Sequence, residues 1–246
     1  MSDLSKQYHS LIIDDKNTWD DWHLIPSSRP FVSPPTVLEN YIEIPGRDGF
    51  IDMSELLGGR PHYGPRSGSW EFIVDPDYAL SEPWDTKFSK IMRYLHGKTH
   101  HVTLEDDRYC YYEGRLKVNS WRSDANWSSI TIGYVLQPYK REMYMVGTED
   151  WVWNPFDFET GVVEDYYGLP VSGSSTVEVI GGDEPVVPTI VVNNMGSSFS
   201  VSFGGTSYPL VNGNNTIPQI RLTEGSNELI FSGVGTVSVQ FRRGWL

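Results

Sequence analysis

Residues 109–139 read YCYYEGRLKVNSWRSDANWSSITIGYVLQPY and contain two long runs that are rich in aromatic and β-branched residues. The runs cover 109–122 and 127–139, and Ser123-Asp124-Ala125-Asn126 between them has the residue types of a turn. Two such runs joined by a short turn predict a long antiparallel β-hairpin. This hairpin indicates that the first part of the chain is mainly β.

Two shorter strands and one helix are predicted around the hairpin. Tyr41–Pro45 and Ser69–Val74 are short apolar runs bounded by Pro, Gly and Asp, which is typical of strands. A helix is predicted after Ser81 as its cap, with Pro83 in the first turn and Gly97 at the end. Its apolar stripe, which leaves Lys87 outside, is expected to pack on a sheet and comprises Trp84, Phe88, Ile91, Met92 and Leu95.

The distribution of charge divides the chain of 246 residues into two domains. Residues 1–145 hold sixteen of the nineteen Lys and Arg and twenty-one of the thirty-two acids, whereas 146–246 hold three and eleven. The second part has short runs of Val, Ser, Thr and Phe between Gly and Asn, a pattern that predicts a β-sandwich. Gly233-Val234-Gly235 is interpreted there as a hairpin turn. We therefore expect domains at 1–145 and 146–246.

Composition excludes several classes of function. The net charge of −13 disfavours binding to nucleic acids and anionic membranes, and no continuous apolar stretch could span a bilayer. A single cysteine, Cys110, excludes an intramolecular disulfide and a cysteine-rich zinc site. The polar start MSDLSKQYHS lacks the apolar segment of a signal peptide, so folding in a reducing cytoplasm is expected.

Two groups of residues have the side chains of metal binding or catalysis, but their spacing supports neither. His96, His100 and His101 with Glu105 and Asp106 have metal-binding residue types, but adjacent strand residues point to opposite faces. The acidic pairs suggest glycoside hydrolysis, yet neighbouring acids in turns usually diverge and are solvated; they are 14/15, 20/21 and 106/107. No catalytic, cofactor-binding or metal-binding residue is therefore predicted.

The aromatic cluster formed by Trp151, Trp153, Phe156 and Phe158 has two open interpretations. Aromatic rings stack on the apolar faces of sugars, so the cluster would suit a glycan-binding surface. Aromatic residues are also enriched in cores and permanent interfaces, which favours packing or docking. Both roles remain predictions.

The order of several short motifs resembles that of the distal tail protein (Dit) family of long-tailed siphovirus bacteriophages. Tyr-x-x-x-Pro-Gly-Arg-Asp-Gly at 41–49 precedes Tyr-Gly-Pro-Arg at 63–66, and a strand at 130–134 leads to Gln-Pro-Tyr-Lys at 137–140. Further along, Gly-Ser-Asn-Glu-Leu at 225–229 and the closing Arg-Arg-Gly also match the family pattern. The resemblance spans most of the chain, except for the stretch 149–169.

The resemblance implies an architectural, non-enzymatic role at the tail tip of a virion, made in the cytoplasm of a bacterial host. It implies a ring-forming amino-terminal domain, β-sandwich-like with one helix and a long hairpin, and a carboxy-terminal sandwich similar to galectins or carbohydrate-binding modules. Expected partners are five further copies in a hexamer, the tail tube protein, the tail-associated lysin or fibre, and receptor-binding proteins or host glycans. DNA would be passing cargo. The alternatives are a soluble carbohydrate-binding protein and a cell-wall glycan hydrolase.

Overall fold

The chain divides into two compact units, Met1–Lys140 and Arg141–Leu246. A computed structural model describes residues 9–56, 58–75, 83–123, 127–149, 165–196 and 198–246. Residues 141–145, which the charge distribution placed with the first domain, group with the second unit. Strands dominate both units, and the predicted mainly β class is confirmed.

The strands of the first unit are mostly short, apart from three that form the centre of its sheet. In chain order they are β1 Leu11–Ile13, β2 Lys16–Asn17, β3 Leu24–Pro26, β4 Val37–Leu38, β5 Tyr41–Glu43, β6 Phe50–Asp52, β7 His62–Tyr63, β8 Arg66–Val74, β9 Thr99–Leu104, β10 Cys110–Ser123 and β11 Ser128–Leu136. A twelfth strand, β12, covers Lys140–Glu142.

The predicted hairpin lies at the centre of an antiparallel sheet. Within the described residues the strand order is β2-β1-β9-β10-β11-β8-β3. β10 and β11 pair from Gly114↔Leu136 to Ser123↔Ser128, with a register shift between Val118 and Ser120. Along parts of both strands every second side chain is buried, so one face of this sheet lies against the core.

Helix α1 spans Trp84–Leu95 and packs against β10. Ile91 and Leu95 are fully buried, as their spacing predicts, but Met92 at the margin of the stripe remains 36% exposed. Lys87, which the helical pattern left outside the apolar stripe, is buried. The helix contributes to a core whose other fully buried members are Leu11, Ile13, Leu24, Phe72, Val102, Leu116, Ile130 and Ile132.

The N-terminal end of α1 differs from the prediction, whereas its C-terminal end agrees with it. Pro83 occupies the N-cap with ψ 135° and no side-chain capping bond, so the cap is not Ser81, which lies outside the described residues. An extended proline immediately before Trp84 suits this position because its fixed φ leads directly into the first turn. At the other end Gly97 has φ 77° after the C-cap residue His96, as predicted for a glycine that ends a helix.

The second unit is built around one long pair of strands. Its strands are β13 Leu169–Gly181, β14 Thr189–Asn193, β15 Phe199–Phe203, β16 Thr206–Pro209, β17 Gly213–Thr216, β18 Gly225–Gln240 and β19 Gly244–Trp245. The order β16-β15-β18-β14-β17 is antiparallel, and β13 pairs with β18 over its whole length. The buried side chains of these strands form a core of their own, which includes Val179, Ile190, Val192, Val201, Leu222, Leu229, Phe231, Val237 and Val239.

Gly233-Val234-Gly235 is not a hairpin turn: β18 runs through it without interruption, and that prediction was wrong. The glycines instead let a single strand change neighbours, from β15 at residues 230–233 to β14 at residues 236–240. Gly233 has φ 140°, and a Cβ there would lie 2.6 Å from the carbonyl oxygen of Ser198. Glycine therefore marks a change of ladder rather than a reversal of the chain.

Two asparagines close equivalent turns in this unit. Asn227 accepts a hydrogen bond from the Thr223 N–H (2.9 Å) and donates to the carbonyls of Thr223 (2.8 Å), Gly225 (2.9 Å) and Val179 (3.2 Å). Asn215 makes the equivalent hydrogen bonds. Its partners are Val211, four positions before it, Gly213, two positions before it, and the carbonyl of Ile190 on a neighbouring strand. We call each arrangement an asparagine clip.

Candidate interaction surface

The most exposed apolar surface of the first unit is an excursion between β3 and β8. We call the described residues between Thr36 and Gly64 the arm. It contains two separate two-stranded ladders, in which β4 pairs with β7 and β5 pairs with β6. Neither ladder is part of the main sheet. None of its residues belongs to the core cluster of the unit.

Every residue of β5 and β6 is exposed, although four of the six are large apolar residues. Phe50 is 59% exposed and Leu56 67%, and the rings of Tyr41 and Phe50 contact each other with centroids 4.4 Å apart. A two-stranded ribbon without a buried face is marginally stable in water. A concentration of exposed apolar side chains of this kind is typical of an interaction site. The exposed apolar residues of the arm are Val37, Leu38, Tyr41, Ile42, Ile44, Phe50, Ile51 and Leu56.

The base of the arm is fixed to the sheet by a buried arginine. Arg66, 5% exposed, donates from Nε to the Pro138 carbonyl (2.7 Å) and from Nη1 to the Ser33 carbonyl (3.0 Å). Its guanidinium also lies 5.5 Å from the ring centroid of Tyr112. Burial raises the pKa of Tyr112 despite the opposing positive charge of Arg66, so the ring stays neutral beside the cation.

Two stacked aromatic side chains complete this attachment. Trp70 on β8 donates its indole N–H to the Phe31 carbonyl (2.8 Å), and the Tyr134 hydroxyl on β11 accepts the Ser33 backbone N–H (3.0 Å). The two rings stack with centroids 4.2 Å apart. A Cβ on Gly68 would overlap the Tyr134 ring, so glycine makes room for it. The sequence therefore fixes the base of the arm and leaves its apolar tip without cover.

The histidines considered as metal ligands are separated by the fold. His100 is buried, and its Nδ1 donates to Asp14 Oδ2 at 2.6 Å while its Nε2 faces the Leu95 carbonyl at 3.3 Å. His96 Nδ1 instead accepts the Val118 N–H at 3.2 Å, and His101 is exposed. No group of three metal-binding side chains converges within the described residues.

Asp14 holds the turn between β1 and β2 against the buried histidine. Its backbone has φ 53°, and its second carboxylate oxygen accepts the His101 N–H at 2.8 Å. Partial burial raises the pKa of Asp14, but the hydrogen bonds from His100 and His101 outweigh it and keep that pKa below its ordinary value. The carboxylate is therefore a structural partner of a buried ring.

The other acids of the candidate pairs also bind neighbouring structure. Asp15 accepts the Tyr94 hydroxyl at 2.7 Å, and Asp21 binds Lys16 at 3.0 Å. Asp106 binds Arg29 and His9 at 2.9 and 3.0 Å, whereas its neighbour Asp107 binds Lys140 at 2.6 Å. The members of the pairs 14/15 and 106/107 thus bind mainly different partners, and these contacts hold the fold together instead of presenting a pair of carboxylates to a sugar.

The aromatic residues Trp151, Trp153, Phe156 and Phe158 lie outside the described residues. The arm, in contrast, is an exposed surface that sequence reasoning did not select. Its signal was available in the apolar letters on both faces of Tyr41–Glu43 and Phe50–Asp52, since a strand that packs on one face alternates with polar residues. No described helix is long and apolar enough to cross a membrane.

Comparison with known proteins finds a match in structure but not in sequence. No protein-family model matches the chain, and no curated protein sequence matches it. Among solved structures, its two-unit, mainly β architecture matches that of a phage adsorption-hub protein.

That protein is Dit (gp 19.1) of phage SPP1, whose crystal structure is described as a paradigm of the hub adsorption apparatus in phages that infect Gram-positive bacteria. The TM-score is 0.54, with 15% sequence identity, and the match covers 96% of this chain and 99% of the SPP1 chain. At this identity the likeness establishes the fold. It extends over both units of the chain, as did the order of the short motifs.

Proposed function

We propose that this chain is a structural protein of a siphovirus tail tip, and that six copies form a ring that serves as the hub. The observation that carries the proposal is a shared fold over nearly the full length of both this chain and SPP1 Dit. In this role the ring joins the tail tube on one side to the tail-associated lysin or fibre on the other. Receptor-binding proteins or host glycans contact its outer parts.

The arm supplies the physical reason for self-association. Its apolar side chains are exposed in a single copy. Burying apolar surface in a contact contributes a favourable free energy of about 25 cal/mol per Å². In a head-to-tail ring, each arm lies on the next subunit, and six identical contacts close without leaving a free arm. The mixture of sixteen bases and twenty-one acids in residues 1–145 also allows ion pairs between neighbours.

The role is architectural rather than enzymatic. The carboxylates and histidines that were weighed for catalysis bind structural partners in the first unit. The net charge of −13 lets the ring conduct DNA as cargo without retaining it. The carbohydrate-binding alternative rests on the aromatic residues of 151–158 or on the second domain, and loss of glycan-array binding in Trp151→Ala or Trp153→Ala would support it.

Measurement of mass in solution tests the ring. Light scattering of the full chain after size-exclusion chromatography should give a hexamer, and negative-stain microscopy should show rings. Phe50→Asp and Ile42→Asp should each shift the chain to lower mass, because a carboxylate would be desolvated in the contact. Neither side chain belongs to the core of the unit, so the thermal unfolding of each variant should stay close to that of the parent.

A matched control comes from the second unit. Val211 is 63% exposed, close to the 59% of Phe50, so Val211→Asp makes the same apolar-to-acid change outside the arm. This variant should retain the ring. A parent chain that is monomeric at every concentration, or arm variants that assemble as well as Val211→Asp, would contradict the proposal.

A further inference from the structure

The second unit has one long strand whose outer side is open. β13 pairs with β18 in continuous register from Leu169↔Val237 to Gly181↔Gly225. Within the described residues no strand pairs with the opposite side of β13. Exposed edges of this length present a row of backbone N–H and C=O groups, and proteins usually protect them from pairing with other chains.

Among the described residues, the contacts that close this edge lie at its two ends. Near the carboxyl end the Ile180 N–H donates to the Tyr166 hydroxyl (3.1 Å), and the Ile180 carbonyl accepts Arg243 Nε (3.1 Å). At the start of β13, Pro170 has no N–H to offer. Residues of the same parity as Ile180 turn their backbone groups away from β18, and those of Ser174, Thr176 and Glu178 pair with no other strand of the described chain.

The open edge is acidic at one end. Glu178 lies directly opposite Glu228 in the ladder, and both side chains are exposed. Like charges in this cross-strand position are unfavourable. Ser226 donates its hydroxyl to Glu178, but among the described residues no cation binds either carboxylate.

The arginines of the second unit are bound at other positions. Arg141 pairs with Glu184 at 3.0 Å, Arg243 bonds the Ile180 carbonyl and Arg242 bonds the carbonyl of Glu142. The remaining one, Arg221, lies near the Pro218 carbonyl. Within the described part of the second unit, no arginine therefore lies against the acidic pair.

We propose that the open edge of β13 binds an extended, positively charged segment of a partner protein by β-strand addition. The segment hydrogen-bonds to residues 174–178 and places a lysine or arginine against Glu178 and Glu228. Small polar side chains at 172–176 leave the approach unobstructed. Charge excludes a second copy as the occupant, because its β13 would bring the same glutamates and residues 146–246 carry eleven acids against three bases.

This site is independent of ring formation, since it uses neither the arm nor the first unit. The probe is a short synthetic peptide of alternating lysine and threonine, added to the full chain. Amide hydrogen exchange followed by NMR should show slower exchange at residues 174, 176 and 178. The same peptide with glutamate in place of lysine should give no protection.

Two variants separate strand addition from simple charge attraction. Thr176→Pro removes an outward N–H and should abolish the protection, whereas Glu178→Lys should weaken binding about fivefold or more. Glu224→Lys makes the same charge change four residues before Glu228, outside the ladder with β13, and should bind like the parent. A lysine peptide with alternate N-methylated amides gives the same test as Thr176→Pro without altering the protein, and it should not bind.

The result that would overturn the proposal is binding that ignores the edge. If the lysine peptide binds Thr176→Pro and its N-methylated form binds the parent with unchanged affinity, the contact is not strand addition. If no peptide protects residues 174–178, the edge is not a binding surface. Either outcome leaves the hexameric ring untouched, because the mass measurement does not depend on β13.

Discussion

Replacing Asn227 by alanine should destabilise the second unit by about 3 kcal/mol. The side chain is 6% exposed and makes three hydrogen bonds of 2.8–2.9 Å, to the Thr223 N–H and the carbonyls of Thr223 and Gly225. Each contributes about 1 kcal/mol net, so removing all three gives the stated cost. For a unit of this size that corresponds to a fall of roughly 12 °C or more in Tm.

Asn215 provides the matched comparison, because its clip has the same set of bonds in a half-buried position. Water can replace part of the lost hydrogen bonding there, so Asn215→Ala should cost about 1 kcal/mol less than Asn227→Ala. Asn227→Asp should be worse than Asn227→Ala, because the second carboxylate oxygen would face the carbonyls to which Nδ2 now donates.

Urea denaturation followed by circular dichroism, with hydrogen exchange resolved by mass spectrometry, assigns the loss to one unit. Peptides from residues 169–181 and 225–240 should exchange faster in Asn227→Ala, while peptides from β10 and β11 remain as in the parent. Equal losses for the two alanine variants, or an aspartate variant as stable as the asparagine parent, would refute the idea that buried backbone groups depend on this side chain.

Three further changes probe other parts of the fold. Tyr134→Phe removes the acceptor of the Ser33 N–H and should cost about 1–2 kcal/mol, with faster proteolysis of the arm; unchanged proteolysis would show that the base is held without it. Gly233→Ala should lower the free energy of unfolding by more than about 2 kcal/mol, because the φ of 140° and the nearby Ser198 carbonyl exclude a Cβ. Gly204→Ala, at a φ of 56° with open space around it, should cost less, and urea unfolding measures both. Since the pKa of Asp14 lies below its ordinary value of 3.8 in the folded chain, its stabilisation is present above that pH and is lost as the pH falls through the folded pKa. Asp14→Asn should therefore lose about 1 kcal/mol at neutral pH, allowing for the 40% exposure of the carboxylate, and its Tm should converge on that of the parent in acid; a constant difference would contradict the assignment.

The sequence pattern correctly predicted the helix and strands whose apolar residues repeat with the period of one buried face. The runs on either side of the predicted turn at 123–126 form β10 and β11, and the spacing of Ile91 and Leu95 correctly predicted the face of α1 that packs on the sheet. These predictions succeeded because burial on one face imposes a period that the sequence displays directly. The break in charge density also indicated two units, although residues 141–145 group with the second.

The features that the sequence did not predict share a different cause. Gly233 and Gly235 look like a turn in sequence, but the partner strands on either side of β18 decide that the chain continues. Lys87 is polar by type and yet buried, and Asn227 gains its role from backbone groups up to 48 residues away. Such features depend on contacts distant in sequence, which neither propensity nor period records.

In the proposed ring, the attachment at the base of the arm would affect the entropy change of assembly. Because Arg66, Trp70 and Tyr134 hold the backbone at Phe31 and Ser33, the base of the arm is already held in place in a single copy, before the contact that the proposed ring requires. Less conformational freedom then remains to be lost on association, so more of the free energy of apolar contact is retained as affinity. Loosening this attachment should weaken assembly even though the contacting tip is unchanged.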